Sequence, residues 1–354
     1  MSRFFSEKFR DLTPYVPGEQ PRDMQYIKLN TNESPFPPSP MAQAMAREEA
    51  GKLELYSDPT CSALVAAAAQ QLGIPENQIV FGNGSDEILN FAFQAFCDRE
   101  HPAIFPDITY GFYSVFAQLN GVPYKTIPLK KDFTLDPQDY MENRGTIFIA
   151  NPNAPTGIAL SREQVESILR ANPDQVVVID EAYVDFGGES ALCLLPKYEN
   201  LLVVQTFSKS RSLAGGRLGF GAGSADLIQD LNTIRFSTNP YNINRMTMAA
   251  GIGALLDRSY FEENCRKILE NRQFTRDELE KLGFTVLDSS TNFVFASHPK
   301  VSGGLLYRKL KERGILVRHF DKPRLDAYNR ITIGDRQQME AFLAAVHSIL
   351  EEEL

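Results

Sequence analysis

Apolar runs at 79–81, 103–105, 147–150, 176–179, 201–204 and 218–221 alternate with amphipathic, helix-spaced stretches between about residue 79 and residue 235. Short runs with no polar alternation fit strands buried on both faces, and their alternation with helices predicts an α/β domain with a mostly parallel sheet. Ser161-x-x-Gln164 is a capping box that opens one of the crossover helices. A helical pattern from 240 to about 282 breaks near Arg258-Ser259. Beyond it, short strands at 285–287, 293–296, 315–317 and 330–333 alternate with helices at 303–313 and 335–352. That second alternation predicts a smaller α/β unit. Residues 1–30 are irregular and polar, and the run from Pro35 to Pro40 is a stiff connector. The expected organisation is therefore an N-terminal segment 1–30 packing with the small domain, a large domain 31–245, a small C-terminal domain 246–354, and a cleft between the two domains.

Composition narrows the classes. A chain of 354 residues, 43% hydrophobic and 23% charged, is ordinary for a globular protein with two cores. A net charge of −9 and the lack of a basic run argue against nucleic acid as a partner. The opening ten residues are too charged for a secretory signal, and no apolar stretch approaches the roughly 20 residues of a membrane span, so no membrane partner and a cytoplasmic location are expected. Cys61, Cys97, Cys193 and Cys265 stand far apart without a C-x-x-C pair and read as reduced packing residues. With four histidines and no carboxylate cluster, no metal site is expected.

Three segments carry candidate chemistry. The run 201–204 leads into Thr206-Phe207-Ser208-Lys209-Ser210, so Lys209 projects from the carboxyl edge of the sheet, where open α/β folds place ligands. A lysine there can form a Schiff base if desolvation and a cation such as Arg217 favour the free amine. Taken alone, the segment is equally a solvated Lys/Arg loop. The run 176–179 ends in Asp180 at the same edge, with Tyr183 three residues on. A buried carboxylate needs a cationic partner, and the protonated ring nitrogen of pyridoxal 5'-phosphate is one; an N-cap is the alternative. Gly82-Asn83-Gly84-Ser85-Asp86-Glu87, between a strand and a helical pattern, is an anion site built from free amides and the helix dipole, or an ordinary turn. Glu87 stands where a dinucleotide fingerprint has its third glycine, which excludes a nucleotide-binding oxidoreductase. The three segments together make a phosphate cup beside an amine and a carboxylate.

In order along the chain, Gly84-Ser85-Asp86-Glu87, Tyr110-Gly111-Phe112-Tyr113, Asn151-Pro152-Asn153-Ala154-Pro155-Thr156-Gly157, Asp180-Glu181-Ala182-Tyr183 and Ser208-Lys209 with Arg217 resemble the fold-type I, aspartate-aminotransferase-like pyridoxal-phosphate enzymes. Within them, Leu12-Thr13-Pro14-Tyr15, Leu29-Asn30-Thr31-Asn32-Glu33, Asn239-Pro240-Tyr241-Asn242, Leu316-Val317-Arg318 and Arg330-Ile331-Thr332 are similar to the histidinol-phosphate aminotransferases. The resemblance implies a homodimer, with pyridoxal 5'-phosphate as cofactor and Lys209 as its lysine and proton carrier. It further implies Asp180 at the ring nitrogen, Tyr183 at the phenolic oxygen, and Ser85, Asp86, Ser208 and Arg217 at the phosphate. Tyr56 would reach that phosphate from the partner subunit, and Tyr110 would stack on the ring. The family's usual asparagine before Pro-Thr-Gly is Ala154 here, so the phenolic oxygen is left to Asn153, Asn151 or Tyr183; Asn153 is carried as the cofactor ligand. Tyr15, Asn32, Arg318 and Arg330 match positions that approach substrate. The implied reaction is transamination between histidinol phosphate and 2-oxoglutarate, yielding imidazole-acetol phosphate and glutamate. An aromatic aminotransferase or a threonine-phosphate decarboxylase remains the alternative on the same scaffold.

Overall fold

The computed structural model describes residues 2–354. A three-residue strand β1 (Ile27–Leu29) precedes helices α1 (Pro40–Ala50) and α2 (Ser62–Leu72), strand β2 (Ile79–Gly82) and helix α3 (Ser85–Phe96). Then follow β3 (Ala103–Pro106), α4 (Phe112–Asn120), β4 (Tyr124–Ile127), β5 (Thr146–Ala150), α5 (Arg162–Ala171), β6 (Val177–Asp180), β7 (Leu201–Thr206), β8 (Gly219–Gly223) and α6 (Ala225–Thr238). The remainder is α7 (Arg245–Leu256), α8 (Arg258–Lys281), β9 (Thr285–Val286), β10 (Phe293–Ser297), α9 (Gly303–Glu312), β11 (Ile315–His319), β12 (Tyr328–Thr332) and α10 (Arg336–Glu353).

Seven strands form one sheet in the order β2-β8-β7-β6-β5-β3-β4. All neighbours are parallel except β8, which runs antiparallel to both β2 and β7. The central strands are apolar on both faces because helices cover both: Val177, Val178, Ile179, Leu201, Leu202 and Val203 are each 0% exposed. The crossover helix α5 starts where the capping box puts it, with Ser161 Oγ accepting from the Gln164 amide and Gln164 Oε1 accepting from Ser161 N–H at 2.8 Å. A second sheet, β1-β11-β12-β10-β9, packs α8, α9 and α10 around its own core of Phe293, Ile331, Phe342 and Val346. The chain is thus α/β with a mostly parallel central sheet.

Two strands are absent from the sequence expectation. β4 is an edge strand whose first three residues are exposed, so it lacks an apolar run. β1 lies within a segment that reads as irregular, and it exists by pairing in parallel with β11, from Ile27 opposite Ile315 to Leu29 opposite Val317. The helical pattern 240–282 divides at Asp257, next to the expected break. Helix α7 packs on α1, and its Ala250, Ala254 and Leu255 belong to the core of the large sheet. All four cysteines are free, three of them buried and Cys193 exposed.

Candidate active site

The carboxyl ends of β5, β6 and β7 and the start of α3 meet around a cavity of about 170 Å³. Lys209, Asp180, Tyr183, Ser208, Tyr110 and Arg217 all line it. Each arrives by local logic. Asp180 is the last residue of β6, and Lys209 lies three residues beyond the end of β7. Ser85 and Asp86 open α3, with their backbone in the first turn where helix amides are unpaired. Gly84 precedes them at φ +82, and a Cβ there would lie 2.5 Å from Arg217 Nη2. Gly219 is equally forced: a Cβ on it would sit 2.3 Å from the amide nitrogen of Ser85. The two glycines let β8, Arg217 and the helix start close together into a cup.

The electrostatics separate the groups. Burial pushes the Lys209 ammonium down to about 8; Arg330 and, more weakly, Arg217 push the same way, while Asp86 and Glu33 oppose them. Its Nζ makes a long hydrogen bond of 3.4 Å to the Thr31 carbonyl. Burial raises the Asp180 carboxyl to about 6, against a hydrogen bond donated by Tyr113 Oη to Oδ2 at 2.9 Å and one from the Ala182 amide to Oδ1 at 3.2 Å. The Asp86 carboxylate takes Arg217 at 3.0 Å and the Tyr110 hydroxyl at 2.7 Å, so its side chain fixes the residues around the anion cup. Arg217 and Asn32 hold left-handed backbone, at φ 54 and 56, of the kind that concentrates at functional sites. An amine that is easily deprotonated, a buried carboxylate and an anion cup within one cavity can bind a phosphorylated, cationic ring and move protons beside it.

The family model for class I and II aminotransferases matches residues 24–346. The chain belongs to the class I and II aminotransferases. Curated members of the family resemble it over nearly their whole length. The histidinol-phosphate aminotransferase of Clostridium beijerinckii is 48% identical over 351 residues, 99% of this chain and 98% of that protein. That of Brachyspira hyodysenteriae is 50% identical over 353 residues, covering 99% of this chain and all of that protein. Among solved structures, the Sinorhizobium meliloti histidinol-phosphate aminotransferase in complex with pyridoxal-5'-phosphate superposes with a TM-score of 0.90 at 26% identity, covering 99% of each chain. The L-threonine-O-3-phosphate decarboxylase of Porphyromonas gingivalis shares the fold, with a TM-score of 0.79 at 22% identity over 92% of this chain and 99% of that one.

The other expected residues of this aminotransferase-family chain fall at varied places. Arg330 on β12 stands opposite Arg318 on β11, so both project from one face of the small sheet. Arg330 donates to the Asn30 carbonyl at 3.1 Å and leaves its buried Nε without a partner. Arg318 is more exposed and donates to the Pro17 and Val16 carbonyls. Tyr15 stacks on Phe112 at 4.2 Å and feels both arginines, which oppose the upward push of burial on its phenol. Asn32 is buried and holds Tyr183, donating from Nδ2 to its Oη at 2.9 Å. Tyr56 does not line its own chain's cavity; it is 79% exposed and stacks on Tyr241.

Asn153 does not line this cavity, whereas Ala154 does. Its amide donates to the Ile108 carbonyl and to Thr156 Oγ1 and accepts from the Thr109 hydroxyl. The turn occupies the Asn153 side chain with these partners. Asn151 is likewise spent on the backbone of Leu160. Sequence reasoning also passed over Tyr113. Tyr113 is the second residue of α4, its ring edge-on to Tyr110 at 5.8 Å, and no local pattern marks it as the donor to Asp180.

Proposed function

We propose that the protein transfers the amino group of L-histidinol phosphate to 2-oxoglutarate, giving imidazole-acetol phosphate and glutamate, with pyridoxal 5'-phosphate as cofactor. The residues present fit that cofactor. The cup formed by Gly84, Gly219, the start of α3 and Arg217 is closed to any added Cβ and suits a phosphate, and Asp180 suits a protonated ring nitrogen. When bound, the cofactor supplies a carbonyl that takes up the amino group and a ring that withdraws electrons. Asp180, kept apart from water, holds the ring-nitrogen proton in place. Lys209, whose amine is half free near pH 8, can accept a proton from the substrate carbon and return it on the other side of the reaction. Ser85, the Asp86 amide, Ser208 and Arg217 bind the phosphate, and Tyr110, fixed by Asp86, covers the ring face.

The observation that carries the substrate reading is Arg330, a half-buried guanidinium whose buried Nε has no partner, beside Lys209 and Tyr15. A cation with an unmet buried donor fits an anionic substrate group, and Arg318 on the same sheet face supplies a second fork for a phosphate. The curated relatives at about half identity support the choice of amine. The seven-stranded and five-stranded sheets act as large and small domains on either side of this site. The packing of α7 supports a seam at Asp257 rather than at residue 245.

A homodimer supplies Tyr56 across the interface; its exposure, with Leu53 and Leu55 at 58% and 57%, supports that surface as the contact. Among the described residues no helix is long and apolar enough to cross a membrane.

The test is the visible spectrum of the protein loaded with pyridoxal phosphate, followed through additions of histidinol phosphate, L-phenylalanine or threonine phosphate. Histidinol phosphate should bleach the cofactor band at the lowest concentration, and 2-oxoglutarate should restore it. A stronger response to phenylalanine would install the aromatic reading, and carbon dioxide release from threonine phosphate the decarboxylase. Lys209→Ala should abolish the turnover.

A further inference from the structure

With Ala154 presenting only a methyl group to the cavity, and the Asn151 and Asn153 amides consumed elsewhere, Tyr183 is left to meet the phenolic oxygen of the cofactor from this side. The hydroxyl of Tyr183 has one proton. Whether it points into the cavity depends on its neighbour. Asn32 Nδ2 donates to Tyr183 Oη at 2.9 Å, which makes the tyrosine oxygen an acceptor on the protein side. The amide holds that orientation because its Oδ1 accepts from Thr332 Oγ1 at 3.0 Å. Thr332 Oγ1 accepts the backbone N–H of Asn32 at 3.0 Å and gives its single proton to Asn32 Oδ1, the one acceptor recorded for it; a flipped amide would leave that buried proton without a partner. Asn292 Nδ2 donates to the Asn32 carbonyl at 3.0 Å and fixes the backbone, which sits at φ 56, a conformation asparagine tolerates. Asn32 and Thr332 are 1% and 2% exposed, so water does not compete for these partners.

We propose that Asn32 is a positioning residue rather than a substrate ligand, and that with Thr332 it turns the Tyr183 proton into the cavity to serve the phenolic oxygen of the cofactor. The chain runs from β12, the strand that carries Arg330, through the 30–32 segment to Tyr183. It rests on the pyridoxal-phosphate reading given above. A flipped or lost amide would let Tyr183 donate to the protein, removing a hydrogen bond that favours the ionised phenolic oxygen.

The experiment is a pH titration of the visible band of the loaded enzyme without substrate. Thr332→Val keeps the shape but frees the amide to flip, and Asn32→Asp offers only acceptors in its ionised form. Each should raise the midpoint of the spectral change by about one pH unit. Thr332→Ser should leave it at the wild-type value, and in a Tyr183→Phe background Thr332→Val should have no further effect. A midpoint unmoved in both Thr332→Val and Asn32→Asp would overturn the proposal. So would a shift that persists in Tyr183→Phe, or a rise in KM for histidinol phosphate with the titration unchanged, which would return Asn32 to the substrate. Should the wild type give no pH-dependent band on adding pyridoxal phosphate, the cofactor reading itself would fall and this proposal with it. A normal wild-type titration with unshifted variants would sink this proposal alone.

Discussion

Tyr113→Phe removes one hydroxyl from a fully buried ring and with it the shorter of the two hydrogen bonds recorded to Asp180. The consequence can be sized. Burial holds the Asp180 carboxyl at about 6, and the Tyr113 hydrogen bond is the largest influence keeping it from going higher. A hydrogen bond to a buried charged acceptor is worth about 1.5–3 kcal/mol, or roughly one to two pH units. Asp180 in the variant should therefore ionise at a pH about one to two units above that of the wild type. In the proposed role Asp180 holds a cationic ring only as a carboxylate, so cofactor affinity should fall as pH drops through its ionisation. Wild-type affinity should weaken below about pH 6, whereas the variant should begin to weaken one to two units higher, roughly tenfold per unit thereafter. Well above pH 8 the two should converge to within a few-fold. The assay is the dissociation constant of pyridoxal phosphate for the apo-protein between pH 5 and 9, read by absorbance, with melting temperature as a control for folding. Two parallel curves that break at the same pH would show that Tyr113 does not act through the ionisation of Asp180.

Arg318→Ala should lower kcat/KM for histidinol phosphate by roughly one to two decades and for glutamate far less, because only a phosphate engages two guanidinium forks, while Arg330→Ala should damage both half-reactions. Equal losses with both substrates from Arg318→Ala would reassign it to a general electrostatic or structural role. Mixing Tyr56→Phe with Lys209→Ala should restore activity in the hybrid dimer, measured as turnover against the unmixed proteins; an active monomer in sedimentation would end that assignment. Glu181, beside Asp180 but bonded to Ser190, Ala191 and Gln205, has its carboxyl raised by burial to about 7. A raised folded value means that its contribution to stability is full below the unfolded value of about 4.3 and is lost as pH rises through about 7, at about 1.4 kcal/mol per unit between them. The stability of Glu181→Gln relative to wild type should accordingly improve as pH rises from 4.5 to 7.5 in chemical denaturation; parallel stability profiles would refute the buried-acid account.

What the sequence carries and what it hides divide along one physical line. Lys209, Asp180 and the start of α3 are legible because each is fixed by its own neighbours: an apolar run stops, a glycine turn follows, and the side chain at the strand end has one edge to face. Arg330 is legible for the same reason, at a strand. The groups that tune these residues come from far away in the chain. Arg330, not Arg217, is the cation that most depresses the Lys209 ammonium, although it lies 121 positions beyond the lysine in the numbering. Tyr113 reaches Asp180 across 67 positions and Thr332 reaches Asn32 across 300. Such partners leave no local pattern, just as β1 leaves none until β11 gives it something to pair with. Asn153 belongs to the same class. Within a Pro-rich turn the direction of each side chain depends on backbone geometry that residue order does not state: Ala154 lines the cavity, and Asn153, one position earlier, does not and bonds Ile108 and Thr156 instead. Ala154 in place of asparagine is visible in the sequence; the Tyr183 hydroxyl and the Asn32 amide that holds it become visible only once Asn32 is bonded to Thr332 of the second sheet. Local rules put Lys209 and Asp180 at the strand ends, and burial together with partners remote in the chain, Tyr113 from the helix before β4 and Arg330 from the second sheet, sets their acidity.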